Sequence, residues 1–310
     1  MKAFAITARD NQPELHDIPQ PQPAEGEVLV QVEAASVNGF DVSVAAGYVW
    51  DMIPHEFPVV LGRDLVGTVT ALGDGVDNLA VGDRVAAVIP GMALGPRTGS
   101  LTEHVAVPAT AVTRVPAGVD AHTAAVIGLA GIAAHDALHA LNPQPGELVL
   151  ISGATGGVGS IAIQLATAAG ATVIATARPG AEADYVSGLG ATHTVDYTGD
   201  LAAAVHALAP NGVDKALHAA GDPATLGRTL RPDATVATTL AATAEQFGRD
   251  DLTVHAIMAA ATADKLATLL DHVAAGRLRV NIEAAVPLER VGEAFKTFTD
   301  GTLGKVLITR

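Results

Sequence analysis

The run Val149 to Gly159, VLISGATGGVG, constrains this chain more than any other. Leu148 to Ser152 is a short apolar stretch of the kind that forms a buried strand. It leads into glycines at 153, 156, 157 and 159, and then into Ser160 to Ala166, SIAIQLA, whose apolar residues recur at helical spacing. Strand, glycine turn and helix in this order form the phosphate-binding opening of a doubly wound α/β fold. Gly153 and Gly156 would let the backbone turn sharply against a pyrophosphate, and Gly159 would let the helix pack closely on the sheet. The helix start at Gly157 and Val158 would offer free N–H groups and the positive end of a dipole. The glycines fall as GxxGxxG rather than the common GxGxxG, with Thr155 inside the turn, and glycine clusters also make ordinary turns. Context favours the nucleotide. A second strand-like run, Ala171 to Ala177, begins just after Gly170 and completes a βαβ unit of roughly 30 residues.

The end of that second strand bears on the cofactor. NAD-binding versions place an acid there to hydrogen-bond the ribose 2′-OH. Here the strand ends Thr176-Ala177-Arg178-Pro179-Gly180, with no acid. The planar fork of Arg178 would suit a 2′-phosphate, although a solvated surface arginine is the plain alternative. Acid absent and arginine present both predict NADPH over NADH.

Composition narrows the possible partners. The formal net charge is −15, against nucleic acid or an anionic membrane surface, both of which demand a basic face. No stretch of about 18 residues is apolar without breaks or charges, so no membrane span is expected. The chain has no cysteine, which excludes disulfides, a thiolate nucleophile and cysteine-ligated zinc. Together these predict a cytoplasmic protein.

A chain of 310 residues can hold two domains. Up to about residue 115 the sequence carries short alternating runs, 27–32, 67–72 and 83–88, separated by turn clusters; this reads as a β-rich, partly open barrel. Asp120 to Leu141 has helical periodicity, with Asp120 as a cap. From about 145 to 240, strands at 148–152, 172–177, 193–196, 214–219 and 234–239 alternate with helices. The tail from Ala284, with the apolar run 304–308, is expected to rejoin the first domain. The uncharged stretch 234–240 reads as an open sheet edge that wants a partner.

The chain resembles the medium-chain dehydrogenase/reductase superfamily, and within it the zinc-lacking, quinone oxidoreductase-like branch. The resemblance runs the whole length, in segments that come in the right order: ASVNGFD at 35–41, PVVLGRD at 58–64, VGDRV at 81–85, GSLTEH at 99–104, LAG at 129–131, the glycine turn, LGA at 189–191 with VDY at 195–197, and GKV at 304–306. It implies a GroES-like, β-rich catalytic domain over 1–118 and 260–310, plus a doubly wound Rossmann domain for the nucleotide over 119–259. It also implies a homodimer. Zinc-dependent members carry a cysteine where Asn38 stands, a histidine where Arg63 stands and a four-cysteine lobe near 90–100. None of these is present, which points away from simple alcohol oxidation and toward an already activated acceptor.

The site residues follow from the same resemblance. Asn38 would lie beside the nicotinamide ribose or the substrate. Tyr48 is the candidate proton donor, one residue earlier than in the enoyl thioester reductases, so a packing and substrate-bonding role stands equally. Tyr197 would flank the adenosine, Ala220 would pass the nicotinamide ribose, and Thr239 and Leu240 would meet the nicotinamide amide. Lys305 would reach the phosphates, unless it is a surface lysine. Arg63 and Asp64 are adjacent charges expected to pair. His135 and His139 have metal-ligand spacing but no third ligand. Trp50, Met52, Ile53 and Phe57 would make either a lid or core, and His55-Glu56 a solvated loop. The reaction implied is NADPH-dependent reduction of a quinone or an enone. A 2-enoyl thioester reductase and a non-catalytic NADPH-binding protein are the alternatives.

Overall fold

The computed structural model describes all 310 residues, and they divide into two compact units: Met1–Leu129 with Ala261–Arg310, and Ala130–Ala260. The first unit opens with strands β1 (Lys2–Ile6), β2 (Glu14–Asp17) and β3 (Glu27–Val37), helix α1 (Gly39–Ala45), and strands β4 (Val59–Val60), β5 (Asp64–Leu72), β6 (Arg84–Val88), β7 (His104–Pro108) and β8 (Val112–Arg114). Helix α2 (Ala121–Leu141) carries the chain into the second unit. There β9 (Leu148–Ser152), α3 (Gly157–Ala168), β10 (Thr172–Thr176), α4 (Ala181–Gly188), β11 (His193–Val195), α5 (Leu201–Leu208), β12 (Val213–His218), α6 (Pro223–Gly227), β13 (Leu230–Thr238) and β14 (Thr253–Ala256) follow. The chain returns to the first unit through α7 (Ala263–Ala274), β15 (Ile282–Pro287), α8 (Val291–Asp300) and β16 (Lys305–Thr309).

In the first unit β3 is the spine. Its alternating sequence EVLVQV buries Val28, Val30 and Val32 in the core while Glu27 and Gln31 lie partly exposed. It pairs antiparallel with β5, β7 and β16, so the last strand of the chain lies beside one of the first. The resulting sheet runs β15-β16-β3-β5-β6-β8, next to a smaller sheet β2-β1-β4. One continuous core joins both, from Phe4 and Val30 to Leu101, Val291 and Ile308.

The second unit is a six-stranded sheet in the order β11-β10-β9-β12-β13-β14, parallel at every pairing. Counted from β9 the order is 3-2-1-4-5-6, the doubly wound arrangement whose winding reverses beside its first strand. Helices cover both faces of such a sheet, and the strands are accordingly near-continuous apolar runs, with Val149, Leu150, Ile151, Val173, Ile174 and Ala175 fully buried. Strand β14 lies outside β13, so the stretch 234–240 is interior and the open edge is 253–256. The alternation in Thr253-Val254-His255-Ala256 is too short to separate from a loop by pattern alone.

Helix α2 is long and apolar enough to cross a bilayer by length and composition alone; 72% of its most apolar window is buried within the protein. A search for an unbroken uncharged run passes over it because of Asp136.

Because β16 is interior to its sheet, core truncation there should be costly. Leu307 is fully buried, and Leu307→Ala is expected to lower the unfolding free energy by about 2–5 kcal/mol, read from the shift of the urea midpoint.

Candidate functional site

In the second unit the polar features gather at the carboxyl ends of the central strands, where doubly wound folds bind their ligands. The turn after β9 is built for close approach. Gly153 has φ +68°, and a Cβ there would stand 2.9 Å from the Ala220 side chain. A Cβ on Gly159 would stand 2.2 Å from the Gly153 carbonyl oxygen. The helix behind this turn begins at Gly156 with no side-chain cap. Four other helices have such a cap: Asp120, Asp200, Asp222 and Thr262 accept from the backbone N–H of Thr123, Ala203, Thr225 and Lys265 at 3.0, 3.1, 2.8 and 3.3 Å, whereas α4 and α8, like α3, have none. The first-turn N–H groups of α3, at Gly157 and Val158, are therefore left for a ligand. Thr155 lies in the turn itself. This cradle of small residues and free donors fits a dinucleotide pyrophosphate.

The strands around the turn are tied together by side chains that end them. Thr176, 4% exposed, accepts from Gly153 N–H at 3.2 Å and donates to the Ile151 carbonyl at 3.3 Å, so it braces the turn from β10. Ser152 donates to the Ala220 carbonyl at 2.8 Å and accepts from Ala219 N–H at 3.3 Å. His218 Nε2 lies 3.1 Å from the Gly221 carbonyl and Nδ1 lies 3.0 Å from Thr238 Oγ1. The carbonyl can only accept, so Nε2 carries the hydrogen and Nδ1 accepts from Thr238, which in turn accepts from Leu240 N–H at 3.2 Å. Burial lowers the His218 pKa and keeps the ring in this neutral form. Thr239 donates its backbone N–H to the His218 carbonyl at 3.0 Å, and Leu240 is 53% exposed beyond it. Ser152 and His218 are absent from the site residues read off the sequence, and the side-chain role of Thr238 is not among those read there. The available signal is that β9, LVLIS, is an apolar run closed by one polar residue, and that β12 and β13 likewise end in a polar residue after buried apolar ones.

Arg178 lies just past β10, half-exposed, and does not stand alone. Its Nε donates to Glu182 Oε1 at 2.7 Å and its backbone N–H to Glu182 Oε2 at 2.7 Å. The Tyr197 hydroxyl meets the same Oε1 at 3.4 Å. The structure thus brings Arg178 and Tyr197 together through an acid that the strand sequence does not contain.

In the first unit the polar residues form a buried cluster. Asp64 Oδ1 accepts from Ser36 N–H at 3.2 Å, Ser36 Oγ at 2.8 Å and Asn38 Nδ2 at 3.3 Å, and its Oδ2 accepts from Leu129 N–H at 3.3 Å. Asn38 Oδ1 accepts from Lys305 Nζ at 2.5 Å, and Lys305 also donates to the Val37 carbonyl at 3.0 Å. The Asn38 amide is held from both ends. Lys305 is 2% exposed, neither a surface lysine nor a free phosphate ligand, because β16 lies beside β3 and turns its ammonium inward. Burial lowers its pKa, with the charges of Asp64 and Asp41 working against the shift. Arg63 does not pair with Asp64. Its Nη1 donates to the Gly91 carbonyl at 3.1 Å, its guanidinium lies 4.6 Å over the Phe40 ring, and its buried Nη2 has no partner. Asp41 accepts from Asn38 N–H and Gly62 N–H, both at 2.9 Å.

Tyr48 stands apart, 76% exposed, its hydroxyl unbonded. In the same loop Trp50 and Ile53 are core residues and Met52 is 73% exposed. His55 and Phe57 pack against Trp50, tilted and edge-on, at ring-centroid distances of 5.1 and 5.5 Å, so packing accounts for most of the segment. His135 lies 3.2 Å from Asp136, and no group of three or more His, Asp or Glu side chains converges as a ligand set.

A six-stranded parallel sheet with an uncapped glycine turn, preceded and followed in sequence by a β-rich unit, defines a nucleotide-binding oxidoreductase of two units. The description "Alcohol dehydrogenase GroES-like domain" matches residues 24–117 and "Zinc-binding dehydrogenase" matches 157–255. A chloroplast envelope quinone oxidoreductase homolog of Arabidopsis thaliana is 28% identical, over 94% of this chain and 92% of that protein. A phenolphthiocerol/phthiocerol polyketide synthase of Mycobacterium tuberculosis is 32% identical over 95% of this chain, which spans 14% of that protein. A solved mycobacterial protein complexed with NADPH superposes with a TM-score of 0.86 at 27% identity, covering 100% of both chains. The chain belongs to the medium-chain dehydrogenase/reductase superfamily.

The buried cluster should leave a signature in the pH dependence of stability. Burial pushes the Asp41 carboxyl up from 3.8 to about 6, against its two backbone hydrogen bonds and with the Asp64 charge adding to the rise. A folded value above the unfolded one means stability fully present below pH 3.8 and lost as pH rises through about 6. The loss is ~3 kcal/mol in all. Unfolding free energies measured from about pH 4 to 8 should show this fall in the parent protein and a flatter profile in Asp41→Asn.

Proposed function

We propose that the chain is an NADPH-dependent reductase that delivers a hydride to a quinone or an α,β-unsaturated carbonyl compound, without zinc. The observation that carries this reading is the uncapped start of α3 behind Gly153, with the cation of Arg178 at the end of the next strand. Bound NADPH supplies the hydride from its nicotinamide ring. The backbone donors at Gly157 and Val158 hold the pyrophosphate; Gly156, whose N–H donates to the Gly153 carbonyl at 3.2 Å, and Thr155 shape the turn; and Arg178 takes the 2′-phosphate. Tyr197 flanks the adenosine, while Ala220, Thr239 and Leu240 border the nicotinamide. Asn38 orients the nicotinamide ribose or the substrate, and Lys305 acts through it as a positioning residue.

The reading without zinc rests on side-chain chemistry. An amide, Asn38, and a permanently cationic guanidinium, Arg63, stand where the zinc-dependent members carry a cysteine and a histidine. The quinone reading is supported by the name of the Arabidopsis relative. A second reading, a 2-enoyl thioester reductase, is favoured by the match to a segment of a polyketide synthase. A homodimer joined at the open β14 edge and a cytoplasmic location complete the proposal.

The test is NADPH oxidation at 340 nm, with NADH in parallel, against 1,4-benzoquinone, 9,10-phenanthrenequinone, 2-hexenal and crotonyl-CoA. Quinone turnover supports the first reading, turnover of crotonyl-CoA alone the second, and tight NADPH binding without turnover a non-catalytic binder. Arg178→Ala is expected to raise KM for NADPH by at least about tenfold while leaving NADH little changed. Tyr48→Phe is expected to keep kcat within about tenfold, since the exposed phenol is oriented by no hydrogen bond. A loss of about a hundredfold or more would make it the proton donor.

A further inference from the structure

The cation proposed to select NADPH is already held by an acid. Arg178 and Glu182 are four residues apart across the start of α4, but this is not an ordinary solvated helix pair. The Glu182 side chain is 12% exposed, against 60% for that of Arg178. Its Oε1 accepts from Arg178 Nε at 2.7 Å and lies 2.5 Å from Nη2. Its Oε2 accepts the Arg178 backbone N–H at 2.7 Å, and Tyr197 meets Oε1 from β11's side of the sheet at 3.4 Å. Burial alone would raise the Glu182 pKa. The hydrogen bonds and charge of Arg178 outweigh burial and hold the carboxyl below its usual range. At neutral pH a carboxylate therefore sits against the one cation in this corner, and Asp196 contributes a second negative charge nearby.

This charge balance bears on which nucleotide the corner takes. A 2′-phosphate monoester carries about −1.5 to −2 near pH 7, and binding it at Arg178 means competing with Glu182 for a single guanidinium. A ribose 2′-OH makes no such demand: it needs an acceptor, and in doubly wound folds that acceptor is an acid at the end of the second strand. The strand itself supplies none, but the turn into α4 returns Glu182 to the backbone of Arg178, at that strand's end.

We propose that Glu182 is the residue that sets the cofactor preference: it accepts the ribose 2′-OH of NADH and competes with the 2′-phosphate of NADPH for Arg178, so that the preference for NADPH is narrow. This inference rests on the reading above that a dinucleotide binds at the β9–α3 turn. It adds that discrimination at Arg178 is held down by an internal anion. Removing that anion's charge then raises the preference for the phosphorylated cofactor.

The experiment is isothermal titration of the full chain with 2′,5′-ADP and with 5′-ADP, which carry the adenosine corner and no redox chemistry, repeated with NADPH and NADH. The parent protein is expected to bind 2′,5′-ADP and 5′-ADP within about tenfold of each other. Glu182→Gln keeps the shape and part of the hydrogen bonding. It is expected to tighten 2′,5′-ADP at least about tenfold and to weaken 5′-ADP, while Arg178→Ala abolishes any advantage of the phosphate. If Glu182→Gln fails to fold by circular dichroism, Glu182→Asp is measured instead. It keeps the charge on a shorter arm, and a ratio shifted toward 2′,5′-ADP supports the proposal. An unchanged ratio in the folded variant, with both fragments still bound, overturns the role of Glu182 and leaves the nucleotide site standing. Failure of the parent protein to bind any of the four nucleotides overturns both.

Discussion

The buried carboxylate of Asp64 is the contact on which the first unit depends. It sits fully out of water at the start of β5 and takes the backbone and hydroxyl of Ser36, the amide of Asn38 and the backbone of Leu129. An isolated carboxylate at such depth would be strongly penalised. Four donors make the position tolerable and turn it into a clamp that joins β3, β5 and α2. The clamp also sets the Asn38 amide. With Nδ2 turned to Asp64 and Ser36, Oδ1 faces Lys305, so the last strand of the chain finishes an arrangement begun by β3 near its start. Two cations, Lys305 and Arg63, are buried among two carboxylates, Asp41 and Asp64. Removing either cation would leave the carboxylates with less opposing charge in the core.

The second unit solves the opposite problem. Where the first hides charge by pairing it, the second leaves the helix start behind its glycine turn without a side-chain cap. Helices α2, α5, α6 and α7 each receive a side-chain cap, whereas α3 and α4 both start at a glycine without one, and only α3 follows the tight turn at Gly153. The sheet beneath is stiffened at its carboxyl ends by Ser152, Thr176, His218 and Thr238, each bonding to a neighbouring strand or to the loop that follows. The directional chain from Leu240 N–H through Thr238 and His218 to Gly221 fixes the loops after β12 and β13 relative to each other. A binding turn of backbone groups has no side chains to adjust, so its precision has to come from the strands that carry it.

Much of this is legible from local pattern. The glycine turn, the helix after it, the alternation in β3 and the return of 305–309 to the first unit all follow from periodicity or from order along the chain. What escapes such a reading depends on residues distant in sequence. Asp64 and Asn38 lie 26 residues apart and Lys305 and Asn38 lie 267 apart, so no local pattern reveals that the ammonium is buried. Arg63 and Asp64 are adjacent, and adjacency suggests a pair; at the entry to a strand neighbouring side chains leave on opposite faces, which separates them. The edge of the parallel sheet is misplaced by pattern because β14 spans only four residues, too few for the alternation to register. Glu182 is invisible to a search for an acid at the end of the strand, because the acid comes from the next helix, which the turn brings back onto that strand's end.

On the proposed reading the absence of zinc-ligating side chains passes the burden to the acceptor. Hydride transfer to an unactivated ketone builds charge on oxygen that a metal or a strong acid must stabilise as it forms. The side chains near Asn38 are poorly suited to stabilising it. The Asn38 amide is held on both sides, Lys305 is spent on Asn38 and Val37, and Tyr48 is in solvent. An acceptor that delocalises the incoming charge over a conjugated system needs far less help, because the negative charge settles on an oxygen remote from the carbon that receives the hydride and can be protonated from water. Quinones and conjugated enals share that property, as do enoyl thioesters. The chemistry available in the first unit therefore selects for conjugation in the substrate before it selects for any particular shape, and the two substrate classes proposed above become variants of one requirement.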